Sequence, residues 1–255
     1  MTVLNFGFSI IKKEKLSIMT QSEKCSKKRK KQLFVDLLII LIVTFSVLGI
    51  LIIFGNQTNE FVFDSSINIV LRVAVIGLGQ FGIAGLGISI VCLFRKEPFS
   101  KFGLNTKSIF PAIALSLACC IPDFIYCLCR GKVHAWCPFW DVNTTPEVLS
   151  SSFPYSVLAF LITAVCWGFF EGFNYVVIRD KISELFPSKY RFLDVGAAVC
   201  SIMCILIHGA FGVTPDAIIE MLTTIFLIYG MLIVRKETGN AWGCVVIFLV
   251  YWNAL

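Results

Sequence analysis

A carboxylate and an imidazole stand inside apolar stretches of this chain: Glu171 in TAVCWGFFEGFNYVVI and His208 in SIMCILIHGAFG. An ionisable side chain inside a membrane span costs at least about 2.5–3.5 kcal/mol on insertion scales, so it calls for a reason. On consecutive helices these two can pair, hold a water or bind a metal, and the carboxylate can then serve as a general base. The bland alternative is a structural hydrogen bond joining two helices, and the two residues alone leave both readings open. Asn174 and Tyr175 follow Glu171 at i+3 and i+4 and share its helix face, as does Trp167 at i−4. Arg72 and Asp123 also interrupt apolar runs, close to their ends. Arg72 is expected to snorkel outward, and Asp123 to be satisfied at the turn distorted by Pro122.

The elements that hold these groups follow from composition. Of 255 residues, 57% are apolar and only 15% charged, against about 25% charged in an average globular chain. So little polar surface cannot cover a water-soluble fold of this size. That excludes an ordinary soluble enzyme, a disordered chain and a secreted disulfide domain. The expected fold is all-α, a polytopic membrane helix bundle. A spanning helix needs about 20 mostly apolar residues, and seven stretches meet or approach this. They are Leu33–Phe54, Ile67–Phe94, Ile109–Cys129, Pro154–Ile178, Leu193–Val213, Asp216–Val234 and Asn240–Leu255. None shows the period-two alternation of a lipid-facing barrel.

Charge gives the orientation. Of 22 lysines and arginines, nine fall in 1–32, four in 95–107, four in 179–191 and two at Arg235-Lys236. These are alternate connections, so the positive-inside rule places the N-terminus in the cytoplasm and the C-terminus outside. The expected protein is integral to the cell membrane, one transmembrane domain (33–255) behind a disordered basic cytoplasmic tail (1–32). The first apolar run is too long, and follows too long a leader, for a cleavable signal peptide. The net charge of +6 then reads as a topology signal rather than as nucleic-acid binding. The run Lys24–Lys31, set against the first span, is suited to attract anionic lipid.

Two motifs read differently in this context. Gly77, Gly79 and Gly82 match the dinucleotide fingerprint G-x-G-x-x-G. The apolar run continues to Phe94 without β-α alternation, so these glycines, with Gly85 and Gly87, are expected to form a helix-packing face. Cys127, Cys129, His134 and Cys137 cluster at the outer end of the third run. Their spacing matches no familiar zinc pattern, and plain thiols are expected ahead of a disulfide or a metal.

The second half of the chain resembles the CPBP family, the CAAX proteases and bacteriocin-processing proteins. These are intramembrane endopeptidases that include the type II CAAX prenyl protease. The family carries E-E-x-x-x-R, F-x-x-x-H and H-x-x-x-N on separate membrane helices. Glu171 stands at the first glutamate and Cys204-x-x-x-His208 at the second motif, with cysteine in place of phenylalanine. Lys236–Trp242 is similar to the turn before the third motif, and Asn253 matches its asparagine. The likeness covers about 150–255 and extends more weakly from Arg95. It departs at Gly172, which replaces the second glutamate, and at Leu249, which replaces the third-motif histidine. It departs also at Val176, which replaces the arginine, with Arg179 one turn further on.

The resemblance implies hydrolysis of a peptide bond in or near the membrane, with Glu171 activating water. His208 and Asn253 would polarise the carbonyl or stabilise the oxyanion, supported by Asn174, Tyr175 and Arg179. Substrate would enter a cavity between the fourth, fifth and seventh spans. The implied partners are membrane lipid and a membrane-associated peptide or lipidated protein, and no nucleic acid. A metal is left open. Zinc would fall to Glu171 and His208, and the usual two-histidine, one-carboxylate set cannot be assembled from these motifs. The alternative is a non-catalytic relative that binds a membrane partner as an immunity or scaffold protein. A transporter is disfavoured, because no interrupted helices recur in corresponding halves. Measured from Arg179 and Leu193, Glu171 and His208 would lie roughly 12 and 22 Å deep. That mismatch closes if the fourth helix runs on towards Phe186 and the fifth begins nearer Gly196.

Overall fold

The computed structural model describes residues 2–133, 136–209 and 212–254, with side chains described from Ser26 onward. The described residues form a helical membrane bundle without strands. In chain order the helices are α1 (Thr2–Ile53), α2 (Gly55–Phe63), α3 (Ile69–Arg95), α4 (Ile109–Cys129), α5 (Thr145–Ser150), α6 (Tyr155–Leu185), α7 (Val195–His208), α8 (Pro215–Thr238) and α9 (Trp242–Val250). Five of them, α1 from Ser26, α3, α4, α6 and α8, are long and apolar enough to cross a membrane. Phe34, Ile42, Phe45 and Ile53 on α1, with Leu78, Phe110 and Leu222 on other helices, form an exposed apolar belt.

The fifth and seventh expected spans are shorter, forming helices of 14 and 9 residues. Gly209 ends α7, taking the left-handed conformation at φ +65° while its N–H closes on Ile205 O. Beyond α9 the chain turns to meet the segment after α4. Trp136 Nε1 donates to Val250 O at 2.7 Å, Cys137 N to Ala254 O at 3.1 Å and Asp141 N to Asn253 O at 3.2 Å. Protein partners thus satisfy this irregular backbone, the condition for its survival away from water. α9 is apolar all round because it is enclosed, with Cys244, Val245, Ile247 and Phe248 buried against Phe173, Val176 and Met231.

The fingerprint glycines serve helix contacts. A Cβ on Gly87 would lie 3.0 Å from Ile40 Cα on α1, and one on Gly77 would lie 2.9 Å from the Ile162 side chain on α6. Thr44 Oγ1 donates to Ile83 O at 2.8 Å and locks α1 to α3. No glycine or proline interrupts 8–48, so α1 extends back through the segment expected as a disordered tail. Lys27, Lys28, Lys30 and Lys31 are exposed, whereas Arg29 turns inward to Glu184 at 2.6 and 2.8 Å.

Arg72 does not snorkel. It is 2% exposed and donates to both carboxylate oxygens of Glu147, to Val62 O at 3.1 Å and to Ile67 O at 2.9 Å. The short helix α5 delivers that carboxylate. Asp123 is satisfied from elsewhere in the bundle rather than by its own turn, accepting from the Tyr251 hydroxyl at 2.7 Å and the Thr223 hydroxyl at 2.9 Å. Cys127, Cys129 and Cys137 are free thiols, and His134 lies outside the described residues.

Candidate functional site

Three helices bring polar side chains to one height. α6 runs on to Leu185, past the expected end at Ile178, and α7 begins at Val195, two residues after the expected start at Leu193. Glu171 is therefore 14 residues from the end of α6 and His208 13 residues from the start of α7, roughly 21 and 20 Å. Gln80 on α3 is 15 residues from Arg95, roughly 22 Å. The three groups meet there. His208 Nε2 lies 3.5 Å from Glu171 Oε1, and Gln80 Nε2 donates to Glu171 Oε2 at 2.8 Å.

Both carboxylate oxygens thus face a polar partner. The Gln80 bond has good hydrogen-bond geometry, whereas 3.5 Å is long for a direct imidazole bond and leaves the His208 side open to a bridging water. The Glu171 side chain is 8% exposed and that of His208 37%. The His208 ring packs edge-on against Trp252, with centroids 5.3 Å apart.

The helices are irregular at this height. Ala164–Phe170, just before Glu171, and Gly82–Leu86, just after Gln80, are π-helical turns, a feature frequent at functional sites. Phe81 and Phe170 join them edge to face at 4.7 Å. Gln80 and Glu171 therefore each stand beside a π turn. Gln80 was not among the expected site residues. The available signal was an amide in the middle of a glycine-rich apolar run.

No other expected member makes a hydrogen bond to the Glu171 carboxylate or the His208 ring among the described residues. Asn253 makes no side-chain hydrogen bond to Glu171 or His208 among the described residues, and its Nδ2 is buried without a partner. Asn174 is half-buried. Tyr175 is buried and stacked on Phe248 at 5.4 Å, so it packs α6 against α9. Arg179 is held at the end of α6 by Asp180 at 2.7 Å and by both oxygens of Asp194. It joins α6 to the start of α7 and is not available to Glu171. The described residues contain no group of three side chains able to hold a metal. One carboxylate and one imidazole fall short of a zinc donor set, and no step through a metal is derived.

The expected cavity between the fourth, fifth and seventh spans is closed on the α6–α9 side. A Cβ on Gly172 would lie 2.9 Å from Cys244 O and 3.0 Å from Val245 Cα, both backbone atoms of α9. A cavity of about 240 Å³ opens instead beside α3 and α6, lined by Asn59, Ile76, Asp141, Asn143 and Trp167 among others. Ile76 and Trp167 stand four residues before Gln80 and Glu171, one turn nearer the end that carries Trp136.

The tight fit at Gly172 also bears on the missing second glutamate. A glutamate there would drive α6 and α9 apart, at a cost at or above the usual 1–3 kcal/mol or so of overpacking. The expected result for Gly172→Glu is loss of the monodisperse peak in detergent gel filtration rather than a restored carboxylate pair. A folded variant with wild-type melting would contradict this packing. Compared with models of known families, with curated proteins and with solved structures, the chain matches none.

Proposed function

We propose that this chain is an intramembrane endopeptidase of the CAAX-protease type, with Glu171 as the base that activates water. The observation that supports this reading is the convergence of Glu171, His208 and Gln80 from three helices at one height. Water held between Glu171 and His208 would lose a proton to the carboxylate as its oxygen attacks the peptide carbonyl carbon. His208 would donate to the resulting oxyanion. Collapse breaks the C–N bond, and the proton on Glu171 passes to the leaving amine. The products are one carboxylic acid and one amine.

The proposed topology has seven crossings, the N-terminus in the cytoplasm and the C-terminus outside, in the cell membrane. The last crossing is supported at both ends. Asn240 Nδ2 donates to Asn105 O at 2.7 Å and Lys107 O at 2.8 Å at the basic end. Asn253 and Ala254 are tied to Asp141 and Cys137 at the other. The proposed substrate is a membrane-associated peptide or lipidated protein.

Gln80 is a positioning residue in this scheme. Gln80→Leu removes a hydrogen bond to a charged group, worth about 1.5–3 kcal/mol, so cleavage should slow by about 10- to 100-fold. Vesicles holding the full chain and a pool of lipidated and membrane-spanning peptides, read for new N-termini by mass spectrometry, test both statements. Unchanged cleavage by Gln80→Leu would remove that residue from the site. A second reading, a non-catalytic membrane binder, draws on the sequestered Arg179 and the closed position at Gly172. It expects peptides captured intact.

A further inference from the structure

A cavity of about 400 Å³ lies away from Glu171 at the basic end of the bundle. Its wall carries six cations: Arg29, Lys101, Arg179, Lys181, Arg235 and Lys236. Three carboxylates, Glu97, Asp180 and Glu184, share that wall. Behind it, Asp36 and Asp194 neutralise Lys181 and Arg179 from the far side, and Arg95 pairs with Asp36. The region keeps an excess of two to three positive charges on either boundary.

These cations are preorganised. Arg235 is fixed by Phe102 O at 3.0 Å and Asp180 at 2.8 Å, with no partner for its Nη1 among the described residues. Lys181 is 2% exposed and held by Asp36 at 2.9 Å and Glu97 at 3.1 Å. Lys101 and Lys236, partly exposed, stand at the mouth. Burial pushes the Glu97 carboxyl up, but hydrogen bonds from Lys101 and Lys181 outweigh it and hold the group down to about 2. Glu97 therefore stays ionised near neutral pH and counts as a negative charge in that balance.

We propose that this cavity binds a phosphomonoester. An excess of two to three positive charges calls for more than one negative charge in one small group. A phosphomonoester carries about −1.5 to −2 at pH 7 with three acceptor oxygens, and a carboxylate carries half as much. Arg235 Nη1, without a partner among the described residues, suits one of those oxygens. The donor of the phosphate is a lipid headgroup or a soluble ester, since the cavity sits at helix ends where both have access.

The test uses the full chain in phosphatidylcholine nanodiscs, by native mass spectrometry. One arm adds phosphatidylinositol 4,5-bisphosphate to the bilayer, and the other adds soluble inositol trisphosphate. Wild type should bind at least one probe, and Lys101→Gln/Lys236→Gln should weaken that binding at least about tenfold. Lipid-only binding assigns a headgroup, and soluble-only binding a free ester. Replacing Lys107 and Lys189 by glutamine, both exposed and outside the cavity, should change affinity by less than about twofold. If the mouth variant fails to fold, Arg29→Gln serves in its place. Binding of neither probe, no effect of the mouth variant, or an equal loss in the outer-lysine variant would overturn the assignment.

Discussion

Glu171→Gln is expected to lower peptide cleavage by about 10²- to 10⁴-fold, the usual contribution of a positioned general base, without unfolding the protein. Glutamine keeps the shape of the side chain. Its carbonyl can still accept from Gln80 Nε2, now 2.8 Å from Glu171 Oε2, and its amide can face His208. What it removes is the ability to take a proton from water. The variant also relieves the desolvation of a side chain that is 8% exposed, so stability should hold or rise. Cleavage rate and melting temperature, measured on the same vesicles, separate the two effects. Equal cleavage by both proteins would contradict the role assigned to Glu171, and a collapse in melting temperature would make it a structural joint.

Lys181→Met is expected to produce the largest loss of stability, about 3–5 kcal/mol, the cost of removing one partner from a buried ion pair. Lys181 and Asp36 are 2% and 0% exposed and meet at 2.9 Å. Methionine preserves the length of the stem and leaves Asp36 with Arg95 alone, at 2.7 Å. Glu97 loses one donor but keeps Lys101 and Arg29. Because the penalty comes from the orphaned charge, Asp36→Leu combined with Lys181→Met should regain a large part of it. Reversible unfolding in mixed micelles of the two single variants and the double measures that coupling. A Lys181→Met protein within about 1 kcal/mol of wild type, or a double variant no better than the worse single, would show that the pair does not join α1 to α6 as described.

The sequence made the long helices legible because a spanning run is a composition signal that tertiary contacts cannot hide. It misjudged the lengths of α7 and α9, which contacts decide. Gly209 ends α7, and the segment Trp136–Asp141 captures the chain after Val250. The same dependence on distant partners explains Arg72, whose carboxylate lies 75 residues away on a helix of six residues. Arg179 sits two turns from Glu171 along α6, but Asp194 across the intervening turn claims it. Glu171 and His208 could be found because a charge in an apolar run is costly. Gln80 escaped because an amide carries no charge and its run already had an explanation in glycine packing. The π turns escaped as well. Phe81 and Phe170 meet edge to face beside them, a fit that no local spacing announces.

The most direct test of Glu171 as a water-activating base is cleavage in oxygen-18 water, with mass spectrometry of the new peptide C-termini. Wild type should place one labelled oxygen in each new carboxylate, and Glu171→Gln in the same vesicles should yield no product above background. New C-termini made equally by both proteins, or peptides that wild type captures and returns uncleaved, would contradict it.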